Sequence, residues 1–97
     1  MHVISRKRLR DFSDKVPDAK AALDAWFHEV NKATWKNSAE LKAKYGSASI
    51  INAERVVFNI CGNKYRSVVR INYASATVFI RFVGSHREYV RINVETI

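Results

Sequence analysis

Proline, glycine and cysteine are scarce in this chain of 97 residues, which has one proline, three glycines and one cysteine. The single cysteine, Cys61, has no second thiol with which to close a disulfide or build a thiolate zinc site, so it reads as a small buried apolar side chain. With so little proline and glycine, and no repeat or low-complexity tract, no flexible linker is evident, and the length fits one domain over residues 1–97. No apolar run approaches the length of a membrane span. Arg6, Lys7 and Arg8 arrive before a signal-peptide core could form. The expectation is a soluble protein of the cytosol. Acidic residues are also few, nine against seventeen lysines and arginines, for a net charge of +8. Such an excess favours a polyanionic partner.

The hydrophobic fraction is 47%, and its residues recur with regular periods, so the chain folds. His2–Ile4 can be a short strand. Ser5 can cap a first helix running to about Val16, with Leu9, Phe12 and Val16 on one face. Pro17 breaks it and suits the first turn of a second helix. There Ala19, Ala22, Leu23, Trp26, Phe27 and Val30 form an amphipathic stripe, with Trp26 and Phe27 as core. The two helices should form an antiparallel hairpin. Asn37 with Glu40 resembles a capping box for a short third helix ending near Tyr45, with Gly46 at C′.

The period then changes from 3.6 to 2. Strands are expected over Val56–Cys61, Tyr65–Tyr73 and Thr77–Val83, joined by a tight turn at Gly62-Asn63 and a short one at Ala74-Ser75-Ala76. Helices first and strands later give an α+β fold, a helical hairpin packed on a small antiparallel sheet. In the second strand Tyr65, Ser67, Val69 and Ile71 face one way, with Tyr73 continuing the row, and Arg66, Val68, Arg70 and Asn72 face the other. The first row should meet the helices, leaving Arg66 and Arg70 on the open face. If Thr77, Phe79, Arg81 and Val83 share that side, three arginines gather on one surface, and Phe79 between them is either a base-stacking platform or, as most strand aromatics are, part of the core. Arginine is concentrated here. Residues 1–53 hold seven lysines and three arginines, whereas residues 54–97 hold Lys64 alone and six arginines. The guanidinium fork suits bidentate phosphate contact.

Ser85-His86-Arg87-Glu88-Tyr89 follows the third strand. Imidazole ordinarily titrates near neutral pH and can move a proton. Arg87 can bind phosphate, and Tyr89 can orient a 2′-hydroxyl. Metal-free RNA cleavage requires deprotonation of the 2′-hydroxyl, stabilisation of the phosphorane and protonation of the 5′-oxygen. Arg66 and Arg81 are candidates for the second task and His86 for the third. Glu88 reads as a structural ion-pair partner rather than a base. His2, His28 and His86 share no metal-ligand spacing, so neither metal nor cofactor is expected. Composition and spacing leave three readings open. They are an RNA-cutting enzyme, a non-catalytic RNA-binding module, and an interaction domain whose basic groove takes an acidic partner segment.

Three stretches carry a family resemblance. Val57-Phe58-Asn59-Ile60-Cys61-Gly62-Asn63-Lys64-Tyr65-Arg66 resembles the Gly-Asn-Lys-Tyr-Arg signature of HigB-type toxins. Phe79-Ile80-Arg81-Phe82-Val83-Gly84-Ser85-His86-Arg87-Glu88-Tyr89 is similar to their Ile-Arg…His-x-Glu-Tyr segment. Trp35, Ser38, Leu41, Lys42, Tyr45 and Ala48 are similar to the stretch upstream. The likeness spans nearly the whole chain. It implies the RelE-like fold and the toxin of a bacterial type II toxin–antitoxin pair, a metal-independent endoribonuclease (mRNA interferase) acting on messenger RNA, commonly on the ribosome. It also implies a cytoplasmic protein neutralised by a HigA-like helix-turn-helix antitoxin, whose complex with the toxin reaches operator DNA. No membrane is involved. By position, Arg66 matches the arginine after the strand turn, and His86 stands where RelE-like toxins have an arginine. Tyr89 lies near the C-terminal tyrosine, and Lys64 is the turn lysine. The expected catalytic set is Arg66, Arg81, His86 and Tyr89, with Lys64, Arg70, Arg87 and Phe79 holding RNA. The basic N-terminal helices would add a second surface towards ribosomal RNA. Two positions depart from the pattern: Val90 replaces the usual Asp after Tyr89, and Asn59 stands where some relatives place a lysine.

Overall fold

Strand β1 (His2–Ile4) turns directly into helix α1 (Arg6–Lys15) in the computed structural model, which describes residues 1–97. Ser5 makes that turn with a left-handed backbone, φ 73°, and its hydroxyl caps nothing. The expected Ser5 cap is therefore absent, because a capping side chain needs an extended backbone at that position. A 3-10 turn at Pro17–Ala19 leads into α2 (Lys20–Lys32), and α3 (Ser38–Lys44) follows. Asn37 caps α3 by accepting from the Glu40 amide. Gly46 follows Tyr45, the C-cap, but without the left-handed backbone of a glycine C′.

The sheet contains β2 (Ser49–Ile50), β3 (Arg55–Ile60), β4 (Tyr65–Asn72) and β5 (Thr77–Ser85), in the order β1-β5-β4-β3-β2. Strands β3, β4 and β5 form the expected antiparallel meander, and two short edge strands extend it. Strand β1 lies parallel to β5, which the long helical crossover between them permits. The α+β arrangement thus stands, with a mixed sheet of five strands. No helix is long and apolar enough to cross a membrane.

Tyr65, Ser67, Val69 and Ile71 are buried on the helix-facing side of β4, as the alternation requires. They meet Leu9 and Phe12 of α1, Leu23, Trp26 and Val30 of α2, and Leu41 of α3. Phe27 lies at the rim, with the Arg6 guanidinium 4.2 Å from its ring. Phe58 is the aromatic hub. Its ring centroid lies 5.1 Å from Tyr45, 5.3 Å from Trp26 and 6.4 Å from Trp35. The Met1 ammonium donates to the carbonyls of Val30, Asn31 and Ala33 at the end of α2, where the helix dipole favours a cation.

Three local features depart from simple alternation. Val68 opposes Phe82 while Val69 opposes Ile80, so Arg81 is the unopposed residue of a β-bulge. Thr77 and Phe79 keep the face of Asn72 and Arg70. Beyond the bulge, Val83 opposes Ser67 and turns to the core, so it leaves the row expected for it. The β3–β4 turn is Cys61–Lys64, wider than a two-residue Gly62-Asn63 turn, with left-handed backbones at Cys61 (φ 55°) and Gly62 (φ 69°). That geometry carries Cys61 out to solvent, correcting the buried reading. Finally, the face away from the helices is only partly open. Val57 and Val68, paired across β3 and β4, are buried there. The C-terminal segment returns to this face, where Arg55 Nε donates to the Ile97 carbonyl at 3.1 Å.

Burial raises the pKa of Tyr45, Tyr65 and Tyr73. Hydrogen bonds to Glu29 and Asp18 add to the effect at Tyr45 and Tyr65. The fold thus favours neutral phenols, while the unfolded chain ionises near pH ~10. The stabilisation is present in full below that pH and is lost as pH rises towards the folded-state values. The denaturation midpoint should fall from about pH 9 to about pH 11 more steeply in the parent than in Tyr45→Phe. Equal slopes would rule this account out.

Candidate active site

The β4–β5 register places Tyr65 opposite Ser85 and Arg66 opposite Gly84, so the start of β4 lies beside the end of β5. There the chain turns into a single helical turn, α4 (His86–Tyr89), which the strand pattern did not reveal. Ser85 and Glu88 form a full capping box. The Glu88 amide donates to Ser85 Oγ at 3.2 Å, and the Ser85 amide donates to Glu88 Oε1 at 3.1 Å. Glu88 is therefore a cap, not the ion-pair partner expected of it. The His86 amide donates to the Lys64 carbonyl at 3.2 Å, fastening α4 to the β3–β4 turn.

Spacing of i, i+3 puts His86 and Tyr89 on one side of α4. Their ring centroids are 6.4 Å apart and the planes 30° apart. Arg66 reaches both. Its Nη2 lies 3.2 Å from His86 Nδ1, and its Cζ stands 5.9 Å from the Tyr89 ring centroid. Guanidinium can only donate, so Nδ1 accepts and the ring proton of a neutral imidazole sits on Nε2. Nη1 of Arg66 donates to the Asn63 carbonyl at 2.8 Å and to the Tyr65 carbonyl at 3.3 Å. The group is thus oriented by the turn behind it. The cluster lies on open surface, accessible to a polymer, rather than in an enclosed cavity.

A second set of contacts braces the turn from the helical layer. Tyr65 Oη lies 2.9 Å from both Asp18 carboxylate oxygens, and Lys64 Nζ is 3.7 Å from Asp18 Oδ2. Lys64 is therefore directed towards Asp18, not towards Arg66. The sequence pattern did not mark Asp18 as a partner of this turn. The only local signal was its place beside Pro17 at a helix start.

Three of the expected residues, Arg66, His86 and Tyr89, come together. Arg87 is exposed on α4, one residue round from His86. Arg81 is exposed at the bulge, and its guanidinium makes no hydrogen bond or ion pair with the rest of the chain. Arg70 and Phe79 face each other in the register but lie four residues along β4 from Arg66, roughly 13 Å at a strand's rise. Arg70 Nε is held by Glu54 at 2.9 Å, and the two line a depression of about 430 Å³ with Phe79, Asn72 and Tyr73. Val90 is the C-cap of α4 and is 63% exposed. Asn59 donates from its side chain to the Ser47 carbonyl at 3.1 Å. No three metal-ligating side chains converge anywhere in the chain.

Comparison with known proteins points in one direction. Residues 19–92 match the family model of the HigB toxin, described as the RelE-like toxic component of a toxin–antitoxin system. The mRNA interferase toxin HigB of Escherichia coli strain K12 is 34% identical over 91 residues, covering 92% of this chain and 88% of the relative. The mRNA interferase HigB of E. coli O157:H7 matches to the same extent. The mRNA interferase HigB of E. coli O6:H1 is 20% identical over 94 residues, covering 95% of this chain and 91% of that protein.

Proposed function

This chain belongs to the HigB family of RelE-like toxins, and from that premise we propose that it is an endoribonuclease that cuts messenger RNA at the surface around Arg66. The observation that carries the reading is the single guanidinium joining an imidazole and a phenol, 3.2 Å from His86 Nδ1 and 5.9 Å from the Tyr89 ring. These three groups match the requirements of 2′-hydroxyl attack.

The scissile phosphate takes the place of His86 Nδ1 as the acceptor of Arg66 Nη2. Freed of that donor, Nδ1 can accept a proton, giving an imidazolium whose N–H groups both donate. Tyr89 orients the 2′-hydroxyl, whose proton is lost to water as the 2′-oxygen attacks phosphorus. The phosphorane charge rests on Arg66, with Arg81 reaching in from the bulge. The bond to the 5′-oxygen breaks, and His86 protonates that oxygen. The products are a 2′,3′-cyclic phosphate and a 5′-hydroxyl. Arg87, Arg70, Phe79 and Lys64 serve the flanking nucleotides. Neither metal nor cofactor enters this scheme.

The setting of the reaction is the bacterial cytoplasm, with the ribosome presenting the message and the basic face of α1 turned towards ribosomal RNA. The antitoxin is a HigA-like helix-turn-helix protein, through which alone the toxin meets DNA. Induction of the chain without an antitoxin should arrest bacterial growth and fragment mRNA, the fragments bearing new 5′-hydroxyl ends. His86→Ala should restore growth and leave mRNA intact. Salt-sensitive RNA binding without any cleavage would instead assign the chain to a non-catalytic role.

A further inference from the structure

We propose that Asp18 is a positioning residue for this site, holding the Cys61–Lys64 turn from the helical layer so that the turn can in turn hold Arg66 and His86. The inference rests on the ribonuclease reading above and extends it to a residue from the opposite layer of the fold.

The connections form one continuous path. Asp18 lies in the 3-10 turn at Pro17–Ala19, where the break between α1 and α2 brings it beneath the first residue of β4. Both its oxygens lie 2.9 Å from Tyr65 Oη, so the phenol donates to either without the carboxylate moving. Tyr65 is itself fixed, 8% exposed, with its ring edge-on to Phe12 at 5.5 Å between centroids. Lys64 Nζ adds a long ion pair to the same carboxylate at 3.7 Å. Two successive residues, the last of the turn and the first of the strand, are thereby tied to one anchor.

Backbone carbonyls of the same turn face the site. The Asn63 carbonyl receives Arg66 Nη1 at 2.8 Å, and the Lys64 carbonyl receives the His86 amide at 3.2 Å. The Lys64 carbonyl continues the β4–β5 ladder by one rung beyond Tyr65 and Ser85, whereas the Asn63 carbonyl lies in a turn with two consecutive left-handed backbones, Cys61 and Gly62, outside that ladder. Fastening the far side of the turn holds the Asn63 carbonyl and keeps the last rung from fraying. Lys64 and Asp18 are more than half exposed, so their ion pair contributes little to stability. The positioning falls to the Tyr65 hydrogen bond.

The test uses the full chain and three variants: Asp18→Ala, Asp18→Asn and Tyr65→Phe. The first and third break the Tyr65 hydrogen bond, whereas the Asn carboxamide still accepts it. Asp18→Ala should lower kcat for RNA cleavage by about tenfold to a hundredfold, the upper end being the cost of a misplacement of about 1 Å in reacting groups, with KM little changed. Tyr65→Phe should reproduce that loss, the double variant should add nothing to it, and Asp18→Asn should stay near the parent. Hydrogen exchange of the His86 amide supplies a readout independent of turnover and should quicken in Asp18→Ala and Tyr65→Phe but not in Asp18→Asn. Unchanged exchange at His86, or unchanged kcat in an active parent background, overturns the inference. A kcat loss in Asp18→Asn equal to that in Asp18→Ala overturns it as well. A parent chain that binds RNA without cutting it overturns the ribonuclease reading instead, and the inference falls with it.

Discussion

Arg66→Ala should cut RNA about a hundredfold to a thousandfold more slowly than the parent, the range for loss of one preorganised donor to a developing negative charge. Three observations motivate this expectation. Arg66 is the only cation within hydrogen-bond reach of His86, its guanidinium lies over Tyr89, and the Asn63 and Tyr65 carbonyls have already oriented it. Little reorganisation remains to be done when the phosphorane forms. Arg66→Lys should recover only part of the rate, because an ammonium cannot span the Asn63 carbonyl and the phosphate with one planar fork. The residue is half-buried at the start of a strand, and its hydrogen bonds to protein go to the adjacent Asn63 and Tyr65 carbonyls and to His86, so stability should change by only about 1 kcal/mol. Single-turnover cleavage beside thermal unfolding separates the two effects. A well-folded Arg66→Ala chain cutting at the parent rate would remove the central element of the mechanism.

Phe58→Ala should cost about 3–5 kcal/mol of stability, read as a lower midpoint in urea at an unchanged slope. Phe58 is 1% exposed and contacts three aromatic rings from separate parts of the helical layer: Trp26 on α2, Trp35 in the connection to α3, and Tyr45 just past the end of α3. Such a site cannot collapse around a deletion, because each neighbour is also held by others. A small domain has a margin of only about 5–15 kcal/mol, so one truncation removes much of it. The consequence reaches function through the sheet, since Phe58 opposes Ser67 on β4, one residue from Arg66. The variant should therefore lose cleavage at temperatures where Arg66→Ala is still folded. A shift below about 1 kcal/mol would mean that the aromatic cluster packs loosely.

Much of this was legible in the sequence, for identifiable reasons. The stripe Leu23, Trp26, Val30 is a 3.6-residue period that only one burial pattern satisfies. The alternation Tyr65 to Ile71 assigned both faces of β4, because a one-residue slip would bury Arg66 and Arg70. What was hidden was hidden physically. A bulge inserts one residue and reverses the parity of all that follows, so Val83 was placed on the wrong side. The four residues of α4 are too short to show a period. Strand β1 pairs with β5 from the far end of the chain, which local patterning does not report. Cys61 is expected inside because an unpaired cysteine is usually buried, but β3 ends at Ile60 and the turn carries the thiol outward. In the site, Arg66, His86 and Tyr89 were legible as residue types, whereas Asp18 and the turn carbonyls act through contacts that only the fold creates. Val57 and Val68 likewise show that the basic face is narrower than its pattern suggests, since its middle is covered.

The exposed thiol of Cys61 also has a practical use. The chain has one cysteine, and it lies on the turn that supports both Arg66 and His86. A thiol-reactive fluorophore or spin label would therefore attach at a single native address without mutagenesis. Its signal should report whether RNA or antitoxin has reached this end of the sheet, and how firmly the turn is held before either arrives.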